Sequence, residues 1–113
     1  MATPYEMDTE DKIIFIEEVC EPEAKIEKWA MHLRNAGKFE DCAGVLLGYW
    51  TDCPPEYPEK TLELPEIFEE LIVPAGKPTL ANVACGHALP TMSLPLGKTV
   101  RMDSNRKTIE VLK

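Results

Sequence analysis

The residues with the clearest potential for chemistry are Glu17 and His87, a carboxylate and an imidazole that lie far apart in the chain. Glu17 directly follows a run of four apolar residues, and His87 follows Gly86 at the end of another apolar run. A carboxylate that accepts a hydrogen bond from one imidazole nitrogen fixes the tautomer and stabilises the imidazolium formed when the other nitrogen takes a proton. Two members of a nucleophile–base–acid triad could therefore meet here, if the fold brings them together.

A nucleophile that would complete such a triad is harder to find. The chain has two serines, Ser93 and Ser104, and neither lies in the Gly-x-Ser-x-Gly turn that presents a catalytic serine. Cys85 is a possible thiol nucleophile, although a free cysteine in a buried strand is usually a packing residue. The sequence therefore supplies an acid and a base without a well-placed nucleophilic oxygen.

Each candidate also has a simpler interpretation. Glu17 could be a solvated charge at a strand end or a cap of the next helix, and His87 could be a turn residue without a chemical role. A zinc site is a further alternative, in which Cys85 and His87 supply two ligands. Cys53 or Cys20 could then supply a third, but structural zinc sites usually draw their ligands from closely spaced pairs, and only the Cys-Gly-His stretch has such spacing.

Three short apolar runs are typical of strands buried on both faces of a small parallel sheet. These strands are predicted at residues 12–19, 43–50 and 79–85. Parallel strands present their carboxyl ends at one edge of a sheet, where functional side chains commonly lie. Glu17 and His87 are therefore predicted to face each other at this edge, provided that the first and third strands are neighbours.

Two amphipathic helices are predicted between the strands. The first begins at Pro22 and stops at Gly37, and the second begins with Thr61 as its cap. Residues 96–103 and 107–112 then alternate apolar and polar side chains, which indicates an antiparallel hairpin. The sequence thus predicts an α/β domain with a small parallel core of three strands, two crossover helices and a C-terminal antiparallel hairpin.

Composition limits the class of protein. A length of 113 residues with 44% hydrophobic side chains fits one domain with a real core. A net charge of −8 argues against nucleic-acid binding, which needs a basic surface. No apolar run approaches the roughly 20 residues of a membrane helix, and the polar, acidic start is unlike a signal peptide. The expected setting is therefore the cytoplasm, with reduced cysteines.

Several motifs together resemble the C-terminal domain of serine LD-carboxypeptidases. They are Thr-Pro-Tyr-Glu at 3–6, Ile-Ile-Phe-Ile-Glu-Glu-Val at 13–19, Ile-Glu-Lys at 26–28, Gly-Val-Leu-Leu-Gly at 44–48, Gly-His at 86–87 and Ser-Leu-Pro-Leu-Gly at 93–97. The resemblance covers almost the whole chain, and the Gly-His followed by Leu-Pro-Leu-Gly is its most specific part. It implies a swivelling β/β/α fold for this domain.

The resemblance also implies a two-domain hydrolase with a Ser–Glu–His triad and without a metal or organic cofactor. Glu17 and His87 match the acid and the base of the family, while the N-terminal domain would carry the serine and the oxyanion hole. Such enzymes remove the terminal D-alanine from muropeptide tetrapeptides during peptidoglycan recycling, and relatives hydrolyse peptide-nucleotide antibiotics. The implied partners are thus the N-terminal domain and a muropeptide substrate.

On this interpretation residues 1–113 form a single domain, excised from a longer protein with Met1 and Ala2 as its start, and inactive alone. An isolated domain that exposes its docking face could also form a homodimer. The alternative of a different class is a non-catalytic binding or scaffold domain with the same fold.

Overall fold

A three-stranded parallel sheet lies at the centre of the protein. The computed structural model describes residues 3–113, so the predicted start at Met1 and Ala2 lies outside the described residues. The strands are β1 (Ile13–Val19), β2 (Gly44–Thr51) and β3 (Thr79–Leu80), in the spatial order β1-β2-β3. The predicted parallel core is confirmed. Because β2 lies between β1 and β3, the expectation that the first and third strands are neighbours was wrong.

β2 is buried as its composition predicted, whereas β1 is more exposed than predicted. β2 is the central strand, and its first five residues are buried. In β1 only Ile14 is buried and the other six residues are half-buried, because β1 pairs with β2 on one side and forms the edge of the sheet. The expectation of burial on both faces therefore holds for β2 and fails for β1.

The first crossover connection contains two helices instead of one. α1 (Glu23–Asn35) follows Pro22, and its buried Ile26 and Ala30 lie one turn apart on the face towards the core. Gly37, with φ of 74°, ends the first helical run as predicted. The chain then forms the short α2 (Lys38–Asp41), which the sequence did not indicate and which buries Phe39 completely.

The second crossover contains α3 (Leu64–Leu71), followed by a 3-10 turn at Val73–Ala75. Its N-cap is Glu63, whose backbone N–H donates to Glu66 Oε2 at 2.8 Å in a capping box. Thr61 was predicted as the cap, but its hydroxyl donates to the Tyr57 carbonyl at 2.9 Å. The helix begins later because this bond holds Thr61 in the preceding turn.

Two different layers cover the two faces of the sheet. On one face the side chains of the helical segments pack with those of the strands, in a cluster that includes Ile14, Phe39, Val45, Leu47 and Ile72. The hairpin β4 (Val100–Asp103) and β5 (Thr108–Val111) covers the other face. Met102 and Ile109 of the hairpin pack there against Leu46, Leu80 and Val83. The predicted α/β class and C-terminal hairpin are confirmed.

The third strand is much shorter than the predicted segment 79–85. It pairs with β2 only through Thr79 and Leu80, after which Asn82 adopts a left-handed φ of 58° and breaks the ladder. The chain afterwards runs along β2 without regular strand geometry, because the Cys85 N–H turns back to the Val83 carbonyl at 2.6 Å. Within the described residues 3–113, none of the helices has the length and hydropathy needed to cross a membrane.

Candidate active site

Glu17 and His87 are in direct contact at the carboxyl end of the sheet. His87 Nδ1 lies 2.8 Å from Glu17 Oε2, which is the distance of a charge-assisted hydrogen bond. The side chain of Glu17 is 26% exposed and that of His87 is 58% exposed. When Nδ1–H donates to the carboxylate, Nε2 of the neutral ring is the nitrogen that can accept a proton.

An irregularity in the pairing of β1 with β2 sets the position of Glu17. Ile16 pairs with Leu47, while Glu18 pairs with Trp50, so the single residue Glu17 faces two residues of β2. Those two residues are Gly48 and Tyr49. Such a bulge bends the strand and re-aims side chains, and bulges are common beside active sites. The local register therefore presents the carboxylate at the end of the sheet.

Two glycines allow His87 to reach Glu17 even though β2 separates β1 from β3. A Cβ added at Gly48 would lie 2.5 Å from the Cys85 carbonyl oxygen, so the chain before His87 passes directly against β2. Gly86 has φ of 129°, and a Cβ there would lie 3.0 Å from Glu17 Oε2. The contact thus depends on a close backbone approach instead of on neighbouring strands.

His87 is carried by a closed surface loop, residues 85–92, which we call the His87 loop. The loop is closed by a hydrogen bond from the Met92 N–H to the carbonyl of Ala84, the residue directly before it, at 2.7 Å. The Thr91 hydroxyl lies 3.5 Å from the Gly86 carbonyl, and the Tyr49 hydroxyl donates to the Pro90 carbonyl at 2.6 Å. Because its backbone is bonded at several points, the loop presents the imidazole in a defined direction.

The three candidate nucleophiles form no hydrogen bond with this pair in the described residues. Cys85 is half-buried and packs beside the cluster of Leu46, Leu80 and Val83, as expected of a packing cysteine. Ser93 is exposed and Ser104 lies in the hairpin turn. In the part of the chain that the structure describes, the hydrogen-bond partner of the His87 ring is Glu17, and neither serine forms a hydrogen bond with the ring.

The alternative zinc site does not form either. Among residues 3–113 there is no group of three or more His, Cys, Asp or Glu side chains placed to hold a metal ion. Cys20 is exposed after β1, and Cys53 is half-buried with its Sγ 3.4 Å from the Thr51 carbonyl. Burial raises the pKa of the Cys53 thiol, which favours the neutral form over the thiolate that binds metals.

The sequence indicated neither the role of Tyr49 in this site nor the close backbone approach at Gly48. Tyr49 is half-buried beside Glu17, and both its backbone N–H and its hydroxyl bind the His87 loop. A glycine followed by an aromatic residue at the carboxyl end of the central strand was the only available signal. The sequence alone did not show that another segment of backbone would pass over that glycine.

Comparison with known proteins identifies the family of the chain. A family model of the LD-carboxypeptidase C-terminal domain matches residues 1–102. A probable murein peptide carboxypeptidase of Bacillus subtilis is 35% identical over 108 residues, which are 96% of this chain and 34% of that protein. The murein tetrapeptide carboxypeptidase of Pseudomonas aeruginosa is 29% identical over 94 residues, which are 83% of this chain and 30% of that protein.

The similarity extends to solved structures. The microcin C7 self immunity protein MccF in its wild-type apo state superposes with a TM-score of 0.80 at 23% identity, over 94% of this chain and 31% of MccF. MccF in complex with glutamyl sulfamoyl guanosine gives the same TM-score and coverage. At this identity the likeness establishes the fold. The chain spans about a third of the length of the curated relatives it matches, and it belongs to the LD-carboxypeptidase family, in which it corresponds to the C-terminal domain.

Proposed function

We propose that this chain supplies the base and the acid of a Ser–Glu–His triad, with His87 as general base and Glu17 as the residue that orients it. The observation that carries the proposal is the 2.8 Å contact between His87 Nδ1 and Glu17 Oε2, which leaves Nε2 available for proton transfer. A carboxylate in this position selects the tautomer with the proton on Nδ1 and stabilises the imidazolium during the reaction.

The proposed substrate is a muropeptide tetrapeptide, cleaved in the cytoplasm at the L,D-peptide bond before its terminal D-amino acid. His87 Nε2 takes the proton of a serine hydroxyl as the serine oxygen attacks the carbonyl carbon. The same proton passes to the leaving amine when the C–N bond breaks. Water then hydrolyses the acyl-enzyme by the same route. The names of the murein peptide relatives support this choice of substrate class.

The serine and the oxyanion hole are proposed to lie in a partner domain that precedes this chain in the whole protein. The matched relatives are about three times as long as the matching region, which leaves room for such a domain. Leu89, two residues after His87, supports a docking surface there, because this large apolar side chain is 89% exposed. This chain alone is therefore expected to be inactive, since the serine and the oxyanion donors are proposed to lie in the other domain.

The decisive experiment measures release of D-alanine from a muropeptide tetrapeptide by the longer protein that contains this chain. We expect His87→Asn and Glu17→Gln each to lower kcat on the order of 10⁴-fold. The matched controls are His32→Asn, at the other histidine, which is exposed on α1, and Glu69→Gln, which is exposed on α3. Full activity of the His87 variant would refute the proposal and favour a non-catalytic binding domain.

A second experiment tests the partner domain. The purified chain should release no D-alanine, and addition of a serine-bearing N-terminal domain in trans should restore release. Sedimentation of the chain, alone and with that domain, would detect both the complex and the predicted homodimer. Hydrolysis by the chain alone, abolished by Ser93→Ala, would instead place the nucleophile within these 113 residues.

A further inference from the structure

We propose that Tyr49 is a positioning residue for His87, which it orients by binding the His87 loop on both sides of the histidine. The inference rests on the proposed function, because it assigns Tyr49 a task in the same proton transfer. Tyr49 lies at the bulge in β2, where it and Gly48 face Glu17. The residue is therefore at the end of the sheet where the acid and the base meet.

Tyr49 holds the His87 loop at two points. Its backbone N–H donates to the Cys85 carbonyl at 2.9 Å, and its hydroxyl donates to the Pro90 carbonyl at 2.6 Å. One of these carbonyls precedes His87 in the chain and the other follows it. A Cβ added at Gly86 would lie 3.2 Å from Tyr49 Cβ, so the base of the side chain also lines the turn into His87.

Packing alone fixes this loop poorly, because its side chains are largely exposed. The side chain of His87 is 58% exposed, Leu89 is 89% exposed, and Pro90 is exposed as well. A segment with few buried apolar contacts depends on its hydrogen bonds for a defined conformation. The bonds from Met92 and Thr91 close the loop on itself, whereas those from Tyr49 tie it to the sheet.

Loss of the Tyr49 hydroxyl should therefore change the direction of the imidazole more than the stability of the fold. The Pro90 carbonyl lies on an exposed residue, so water can replace the lost donor. A base that has lost its alignment transfers protons less efficiently, while the groups that bind the substrate are unaffected. The expected signature is a lower kcat with a nearly constant KM.

The test compares Tyr49→Phe with Tyr57→Phe, a control at a 52% exposed tyrosine outside the site. In the longer protein that contains this chain, Tyr49→Phe should lower kcat about tenfold and change KM less than about twofold. In the chain itself, ¹⁵N NMR of the neutral His87 ring should show the proton mainly on Nδ1, with a smaller fraction there in Tyr49→Phe. The Tyr57 variant should match the unsubstituted protein in both measurements.

Unchanged kcat and tautomer in Tyr49→Phe would overturn the inference, as would lower thermal stability with an unchanged tautomer, since that result indicates a structural role. If the variant does not fold, NMR of the unsubstituted chain still tests the inference. Nuclear Overhauser contacts between the Tyr49 ring and Pro90 are expected, and their absence would refute the inference. If instead His87→Asn and Glu17→Gln leave hydrolysis intact, the proposed function fails whatever Tyr49 does.

Discussion

The contact between Glu17 and His87 lies near the surface, and this location determines what the contact contributes. Both side chains remain partly exposed, so water screens their attraction in either protonation state of the ring. Partly exposed pairs of this kind add little to the free energy of unfolding. The main physical effect of the hydrogen bond is therefore to fix the direction and tautomer of the imidazole.

Substitution of either residue should consequently leave the fold almost intact. We expect Glu17→Gln and His87→Asn to change the free energy of unfolding by less than about 1 kcal/mol. Urea denaturation of the chain, followed by circular dichroism, measures this change. A loss of more than about 2 kcal/mol would show that the pair supports the fold, and an activity loss in these variants could then not be assigned to chemistry.

At the scale of the element, the central strand β2 combines two functions. Its first residues are buried between the helical layer and the hairpin layer and hold the core together. Its last residues form the bulge opposite Glu17 and bind the backbone before His87. The same strand therefore positions Glu17 by its register and His87 by its hydrogen bonds.

Gly48→Ala should separate Glu17 from His87. The added methyl group would lie 2.5 Å from the Cys85 carbonyl oxygen and 2.9 Å from the Phe15 ring, so the backbone before His87 must move away. We expect loss of the Tyr49–Cys85 hydrogen bond, visible as faster amide exchange at Tyr49. Under the proposed function, hydrolysis by the longer protein should also fall at least about a hundredfold.

The control for this substitution is Gly76→Ala. Gly76 has φ of 68° with no atom within 4 Å of an added Cβ, so alanine introduces backbone strain without a clash. It should cost about 1–2 kcal/mol of stability and leave hydrolysis unchanged. If Gly48→Ala behaved in the same way, the close approach at Gly48 would not be required for the site.

The capping box of α3 offers a second test at this scale. Glu66 accepts a hydrogen bond from the Glu63 N–H at 2.8 Å, and Glu66→Ala leaves that donor without its partner. We expect the free energy of unfolding to fall by about 1 kcal/mol in urea denaturation. Glu69→Ala, at an exposed position of the same helix, should have a much smaller effect. Equal effects of the two variants would contradict the capping assignment.

At the scale of the whole molecule, the core is formed by three layers whose centre is the sheet. Cys42 belongs to the cluster between the sheet and the helical segments, beside the completely buried Phe39. Its Sγ–H donates to the Phe39 carbonyl at 3.3 Å. Burial raises the pKa of the Cys42 thiol, because the thiolate would lose its hydration in this core.

This shift in the pKa of Cys42 predicts a loss of stability in alkaline solution. The folded state keeps the thiol proton to a higher pH than the unfolded state, so the free energy of unfolding falls as the pH rises above the ordinary thiol pKa. Below that pH the thiol is protonated in both states, and its burial contributes in full to the free energy of unfolding. Urea denaturation between neutral pH and about pH 10 should show a decline in the free energy of unfolding. This decline should be weaker in Cys42→Ala and unchanged in Cys20→Ala, which substitutes an exposed cysteine. An identical decline in both variants would contradict this origin.

The amino-acid sequence predicted the kinds of element, their order along the chain and the pair Glu17 and His87 as candidate site residues. Hydrophobic periodicity is a local property, so it located β1, α1 and β2 close to their actual bounds, whereas α3 and the first hairpin strand begin later than predicted. The motifs around Glu17 and His87 resembled those of the LD-carboxypeptidases, and the comparisons confirmed that family.

The way in which Glu17 and His87 meet follows from long-range packing, which the sequence pattern does not contain. The order of the strands, the early end of β3 and the passage of the chain over Gly48 depend on contacts between distant segments, which leave no periodic pattern in the sequence. The extra helix α2 and the late start of α3 likewise follow from tertiary burial of Phe39 and a hydrogen bond at Thr61. Local patterns select the elements, whereas long-range packing determines which backbone lies beside which.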